Sequence, residues 1–306
     1  MTPAAPGGPM GPAAAARYVA GLDVLGMRFG LQRIRALLAA LGHPERGRPA
    51  VHVVGSNGKS STSRLAAAAL RSQGLHVGTY LSPHVVGWRE RIEVDGRAVP
   101  ADAFAGLLSR VRAAAEGLDL EPGDRVTQFE ALTAAGFLAF ADAGCDAMVV
   151  EAGLGGRWDA TNVLPAGTVV VLTTVDLEHT DLLGETEAQI AAEKLAVLPD
   201  GSDRLVVGAL TAQAAAAVAA ECARRGLSGW RLGEEVDVGV ANGGAVRLTT
   251  PMGTYDALPL PLLGSFQRAN LAVAVAAAER VLGRALDAGP LRRALARVRM
   301  PGRMEV

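Results

Sequence analysis

Apolar residues recur at Leu31, Ile34, Leu37, Leu38 and Leu41, the three- and four-residue spacing that turns one face of a helix toward a core. Gly42 and Pro44 close that pattern. Over residues 51–54 the rhythm changes to a largely apolar, β-branched run, the mark of a strand covered on both faces. A polar turn, Gly55-Ser56-Asn57-Gly58-Lys59-Ser60-Ser61, then leads into an alanine-rich helical stretch over residues 62–72. Strand, tight loop and helix follow one another directly.

The same two rhythms alternate through the rest of the chain. Residues 76–80 predict a second strand, from whose carboxyl end Leu81-Ser82-Pro83-His84 departs as a loop. Residues 91–99 read as a hairpin around Asp95-Gly96. Helices are predicted over 101–116 and 129–143, the latter opened by a capping box of Thr127 and Glu130. Residues 146–151 predict a strand ending in Glu151, followed by Gly153-Leu154-Gly155-Gly156-Arg157. A strand at 168–173, a helix at 186–198 bearing Lys194, a strand at 204–207 and a helix at 212–225 come next. Glycine-rich strands between 230 and 256 are expected to complete the sheet, and helices at 266–282 and 291–297 close the region. Strands alternating with helices predict an α/β fold, a mostly parallel sheet flanked by helices.

At 306 residues, a prior of roughly 150 residues per domain suggests about two domains. No internal repeat or interdomain linker is visible, so residues 17–306 are expected to form one domain. Residues 1–16, rich in Pro, Gly and Ala, read as a disordered leader and not a signal peptide. Hydrophobic residues make up 50% of the chain and aromatics 4%, so the core is expected to be built from Ala, Val and Leu. With a net charge of −1 and both signs interspersed, nothing favours nucleic acid or an anionic membrane as a partner. Cys145 and Cys222 read as reduced thiols of a cytoplasmic protein. No apolar run approaches the roughly 20 residues of a spanning helix.

The candidate chemistry gathers at strand ends. Gly55 and Gly58 let backbone N–H groups turn inward at a helix N-terminus, and Lys59 adds a mobile positive charge, an arrangement suited to a triphosphate. The spacing is Gly-x-x-Gly-Lys-Ser, shorter than the usual phosphate-loop form, and a plain strand-to-helix connection is the alternative. Ser82, Glu151 and His179 also fall at strand ends. A hydroxyl, a carboxylate and an imidazole there would suit Mg²⁺, which takes few protein ligands. Ser82 before Pro83 also fits a simple turn, and His179 alone a structural histidine. Lys194 fits an ordinary solvated lysine on its helix.

Eight segments in order carry a resemblance: Arg28-Phe29-Gly30-Leu31-Gln32-Arg33-Ile34, residues 51–61, Ser82-Pro83-His84, residues 149–162 (VVEAGLGGRWDATN), residues 176–184 (DLEHTDLLG), Glu193-Lys194, residues 267–270, and Pro301-Gly302-Arg303. Together they resemble bacterial folylpolyglutamate synthase/dihydrofolate synthase, of the Mur-ligase superfamily. The resemblance implies a P-loop NTPase-like fold of the Mur-ligase central-domain type and an ADP-forming amide ligase. ATP would phosphorylate a carboxylate of dihydropteroate or a folyl-glutamate, and the amino group of L-glutamate would attack the acyl phosphate. Gly55, Ser56, Asn57, Gly58, Lys59, Ser60 and Ser61 would bind the phosphates, and Asn270 and Arg303 would contact ATP. Ser82, Glu151 and His179 would hold Mg²⁺. Lys59, Lys194 and His179 would serve catalysis, Lys194 as a carbamylated lysine helping to place a second Mg²⁺. Phe29 and its neighbours to Arg33 would lie near the pterin side, and a monomer is expected.

Some residues depart from the family pattern. Ser60 stands where glycine is usual, Ser56 where threonine is usual, and Phe266-Gln267 replaces His-Gln. Family members continue into a second domain carrying an Asp-Gly-Ala-His-Asn-type motif, whereas all five histidines here lie at or before His179. That C-terminal domain is therefore expected to be absent, and this chain to bind ATP with little or no ligase turnover. A Mur-type peptidoglycan ligase domain, or a nucleotide-binding module without ligase turnover, remain the alternative readings. The Ser82-Pro83-His84 and 153–162 segments favour the folate branch.

Overall fold

The computed structural model describes residues 8–24, 29–241 and 244–300. Helices α1 (Pro12–Ala20) and α2 (Gln32–Ala40) precede strand β1 (Ala50–Val54), helix α3 (Lys59–Ser72) and strand β2 (Val77–Tyr80). A 3-10 turn (Trp88–Arg91) leads to the hairpin β3 (Ile92–Val94) and β4 (Arg97–Ala98), then α4 (Ala101–Glu116), α5 (Gln128–Asp142), β5 (Ala147–Glu151) and β6 (Val169–Leu172). The short α6 (Thr180–Leu183), α7 (Glu187–Leu195), β7 (Leu205–Val207), α8 (Ala212–Arg225) and β8 (Gly229–Arg231) follow. Strands β9 (Asp237–Val240), β10 (Val246–Thr249) and β11 (Thr254–Leu258), with helices α9 (Gln267–Leu282) and α10 (Ala288–Leu295), end the described chain.

Eight strands form one sheet in the order β4-β3-β2-β5-β1-β6-β7-β8. The six strands from β2 to β8 in that order run parallel, and the β3–β4 hairpin adds an antiparallel edge. Asp95 and Gly96 at the hairpin turn both take positive φ, 51° and 76°, the pair of left-handed conformations that favours Asp-Gly at a two-residue turn. β1 lies between β5 and β6 with all five residues buried. Val51 and Val53 face a core shared with α3, α9 and α10, while Ala50 and Val54 join two cores on the opposite face. Burying each such valine side chain is worth roughly 1.5–3 kcal/mol. The alanine-rich faces of α3 and α9 pack against each other, because small side chains let the backbones come close.

Two expectations are corrected. Residues 12–16 belong to α1, which buries Ala15 and Val19, and the Met10 N–H donates to Ser109 Oγ at 2.7 Å. The low-complexity composition hid a helix: alanine has the strongest helix propensity, and proline suits a first turn. The late strands also divide. β8 joins the main sheet, but β9, β10 and β11 form a separate antiparallel sheet. Its alternating burial, as in Val246 and Leu248 of β10, is that of a sheet covered on one face.

Cys145 and Cys222 are both free and buried. Among the described residues no helix is long and apolar enough to cross a membrane.

Candidate active site

Steric contact explains the two loop glycines. Gly55 has φ 142°, and a Cβ there would stand 2.0 Å from Thr173 Oγ1. Gly58, at φ 81°, caps α3, and a Cβ there would stand 2.6 Å from Asn270 Oδ1. The loop is therefore pressed between the end of β6 and the start of α9. It is also pinned by hydrogen bonds: Ser56 N donates to Thr174 O at 3.0 Å, and Asn57 Nδ2 to Asp176 Oδ2 at 3.0 Å. The Asp176 N–H donates to Ser56 Oγ at 3.0 Å. Lys59 opens α3, and its Nζ curls back to Gly55 O at 2.7 Å and Ser56 O at 3.1 Å.

Glu151 meets this loop from the neighbouring strand. Parallel pairing sets it beside Val53 of β1, and it is buried. Ser60 Oγ donates to its Oε1 at 2.8 Å, and Ser82 N to its Oε2 at 3.1 Å. Three segments far apart in sequence, the ends of β5 and β2 and the first turn of α3, thus converge on one carboxylate. Ser61 Oγ accepts from Gln267 Nε2 at 3.3 Å, and Gln267 Oε1 in turn accepts from Asn270 Nδ2 at 2.9 Å. Both α9 side chains are buried against the loop. The structure brings Ser82 and Glu151 together but leaves His179 exposed at the start of α6, with φ 44°. Arg303 lies outside the described residues, as do Arg28 and the rest of the Pro301-Gly302-Arg303 segment.

Lys194 departs from the solvated lysine of its helical pattern. It is 1% exposed, and its Nζ donates to Glu178 Oε1 at 2.7 Å. Burial pushes its pKa down, more than Glu178 raises it, and Lys59 pushes in the same direction as burial. Glu178 is a quarter exposed and is raised by burial, but the hydrogen bond and charge of Lys194 carry it below its usual range. That asymmetry follows from exposure: the amine has lost its water and the carboxylate has kept part of it. The glycine-rich loop fixes this end of α7. A Cβ on Gly156 would stand 2.7 Å from Glu193 O and 2.8 Å from Lys194 O, and Arg157 N donates to Glu193 O at 3.1 Å.

Beside Ser82 lies a cavity of about 390 Å³ whose walls include Phe29, Phe129 and Trp158. Arg33 and Glu130 complete one side, with Arg33 Nε donating to Glu130 Oε1 at 3.1 Å. Aromatic faces with a few fixed polar groups suit a flat, hydrogen-bonding ring. Sequence reasoning had not singled out Glu178, Phe129 or Trp158. One compositional signal was available for Lys194: the chain contains two lysines, and both are at this site.

A parallel sheet with a glycine-rich loop at the carboxyl end of its central strand, opening a helix, defines a P-loop nucleotide-binding domain. Residues 53–278 match the Mur ligase middle domain, and the chain belongs to that family. It is 36% identical over 295 residues to the Mycobacterium tuberculosis dihydrofolate synthase/folylpolyglutamate synthase, covering 90% of this chain and 60% of that protein. The Bacillus subtilis dihydrofolate synthase/folylpolyglutamate synthase is 32% identical over 299 residues, 94% of this chain and 69% of that protein. Of a Haloferax volcanii relative, 40% identical, the chain spans 33%. Among solved structures, Mycobacterium tuberculosis folylpolyglutamate synthase complexed with ADP and AMPPCP superposes with a TM-score of 0.86 at 34% identity, covering 96% of this chain and 68% of that one. An Escherichia coli structure in complex with DHPP and ADP gives 0.83 at 31%, covering 99% and 69%.

Proposed function

We propose that this chain is the nucleotide-binding part of an ATP-dependent, ADP-forming ligase that joins L-glutamate to dihydropteroate or to a folyl-glutamate. The observation that carries the reading is the meeting of the phosphate loop with Glu151 and Ser82 beside an aromatic-walled cavity. The complexes of its relatives with ADP, AMPPCP and DHPP support it.

The loop backbone and the α3 N-terminus would receive the triphosphate, and Lys59 would exchange its two carbonyl partners for phosphate oxygens. The cavity would hold the ring of the acid substrate with its carboxylate toward the loop. The γ-phosphoryl would pass to that carboxylate, giving an acyl phosphate and ADP. The amine of L-glutamate would then attack the acyl carbon, lose a proton and expel phosphate. The Glu151 carboxylate, buried and already fixed by a hydroxyl and an amide, would hold Mg²⁺ with the neighbouring serine hydroxyls, and His179 would have to turn in from the surface to join them. When bound, Mg²⁺ would offset charge on the phosphates. Burial favours the neutral amine of Lys194, the form that adds CO₂ and releases a proton to become a carbamate; that product would supply a further carboxylate for a second Mg²⁺. The free, buried cysteines support a cytoplasmic setting, and the small-molecule substrates need no partner chain, so a monomer suffices.

The test is ADP formation from Mg-ATP with dihydropteroate, L-glutamate, both, or a UDP-linked muropeptide, on this chain and on one extended with the remaining C-terminal segment of the Bacillus subtilis relative. Release requiring both dihydropteroate and glutamate supports the reading. Release indifferent to folates, or driven by the muropeptide, overturns it.

A further inference from the structure

Residues 152–168 join β5 to β6 without a helix or strand, yet they form walls of two cavities. Gly153, Leu154, Trp158, Asp159 and Ala160 line the aromatic cavity of about 390 Å³. Residues 162–168 line a second cavity of about 760 Å³ toward the opposite edge of the sheet. Between the two the loop folds around one carboxylate. Asp159, 6% exposed, accepts the N–H groups of Leu154 at 2.8 Å and Thr161 at 2.9 Å, and the Thr161 hydroxyl. The Gly153 backbone N–H also favours the charged form of this carboxylate, against the burial that raises its pKa.

The next link is His52. Its Nε2 lies 2.8 Å from Thr161 Oγ1, and the residue is 1% exposed. Asp159 is surrounded by donors, so the single Thr161 hydroxyl proton goes to Asp159 and Thr161 accepts from His52. That order fixes the tautomer with the proton on Nε2. The neighbours of His52 in β1 are alanine and valines, so a ring here costs desolvation that a further valine would avoid. Burial holds it neutral, with a pKa of about 3, which leaves its role as a fixed donor rather than a proton carrier. β1 is also the strand that delivers Gly55 to the phosphate loop. One strand therefore sets both the nucleotide loop at its tip and, through His52, the wall of the neighbouring cavity.

We propose that His52 is a positioning residue for the acid substrate, acting through Thr161 and Asp159 to hold Gly153, Leu154 and Trp158 in the shape the ring requires. The proposal rests on reading the aromatic cavity as the folate-side pocket. A histidine that merely fills the core would leave the pocket indifferent to its N–H.

The test uses H52L, which keeps bulk without the donor, T161V, which breaks the relay, and H52Q, whose amide N–H can replace the ring donor. Each is made in a W88F/W230F background, so that Trp158 is the one tryptophan left. H52L and T161V should raise the Kd for dihydropteroate about tenfold, as expected for one lost buried hydrogen bond. They should also increase acrylamide quenching of Trp158 without ligand and leave the Kd for Mg-ATP within about twofold. H52Q should restore both the affinity and the quenching.

Wild-type Kd and quenching in folded H52L and T161V would overturn the proposal. Equal losses for dihydropteroate and Mg-ATP, unrescued in H52Q, would also do so, because they mark general destabilisation. If the parent chain binds no dihydropteroate, the folate reading fails, while the ligand-free quenching still decides the positioning claim. Should H52L not fold, T161V and H52Q give the same comparison.

Discussion

A lysine in a helix pattern and a lysine in a folded site are different chemical objects. The sequence places Lys194 beside Glu193 on a helix and offers no reason to desolvate it. The structure buries it to 1% exposure against Glu178, and burial favours its neutral form. Its environment comes from Gly156 and Arg157, some forty positions away in sequence, which local periodicity cannot register. The loop residues were legible for the opposite reason: Gly55, Gly58 and Lys59 act through local backbone geometry. Ser82 and Glu151 were legible as strand ends, whereas the hydroxyl of Ser60 on Glu151 needed the register of β5 on β1. Incubation with ¹³C-bicarbonate should give a carbamate NMR signal that grows with pH and is lost in K194Q. A wild-type spectrum identical to that of K194Q would remove Lys194 from the proposed chemistry.

Elements meet at this site through close backbone approach. Gly156 does not have positive φ, so its constraint is space: an added methyl would meet the Glu193 and Lys194 carbonyls at 2.7 and 2.8 Å. G156A should displace the end of α7, lower stability by about 1–3 kcal/mol and weaken dihydropteroate-dependent ADP formation more than Mg-ATP binding. Thermal unfolding with the two assays checks this, and an unchanged Tm with unchanged activity would show that the loop and α7 are not coupled. At this scale the parallel strands were readable because their interiors are mainly apolar, β6 and β7 throughout and β1 but for His52. The separate sheet of β9, β10 and β11 was not, since strand patterns reveal which faces are buried but not which strands pair. α1 was hidden by its composition, and its Ala15 and Val19 gain meaning only from the core they enter.

For the whole molecule, two buried titratable groups shape stability in opposite directions. Glu279 of α9 is fully buried and accepts from the Tyr255 hydroxyl of β11, and desolvation raises its pKa. Folding therefore favours its protonated form, so its contribution is complete below the ordinary carboxylate range and is lost as pH rises through the folded value. His52, with its pKa lowered to about 3, must stay neutral. Its contribution is present above the unfolded value near 6.5 and is lost as pH falls toward 3, at up to about 1.4 kcal/mol per pH unit. E279Q should remove the loss of stability that sets in as pH rises above the ordinary carboxylate range, and H52Q should flatten the acid limb of a denaturation-versus-pH curve. Superposable curves for variants and wild type would show that these groups do not set the limits.

The central claim, that the loop at the tip of β1 receives a nucleotide triphosphate, is tested most directly by isothermal titration of Mg-ATP into this chain and into K59A. One site is expected on the wild type, and on K59A an affinity at least about tenfold weaker, as for loss of a charge-assisted hydrogen bond, with the same Tm. Absent binding to the wild type, or equal affinities for the two proteins, would contradict it.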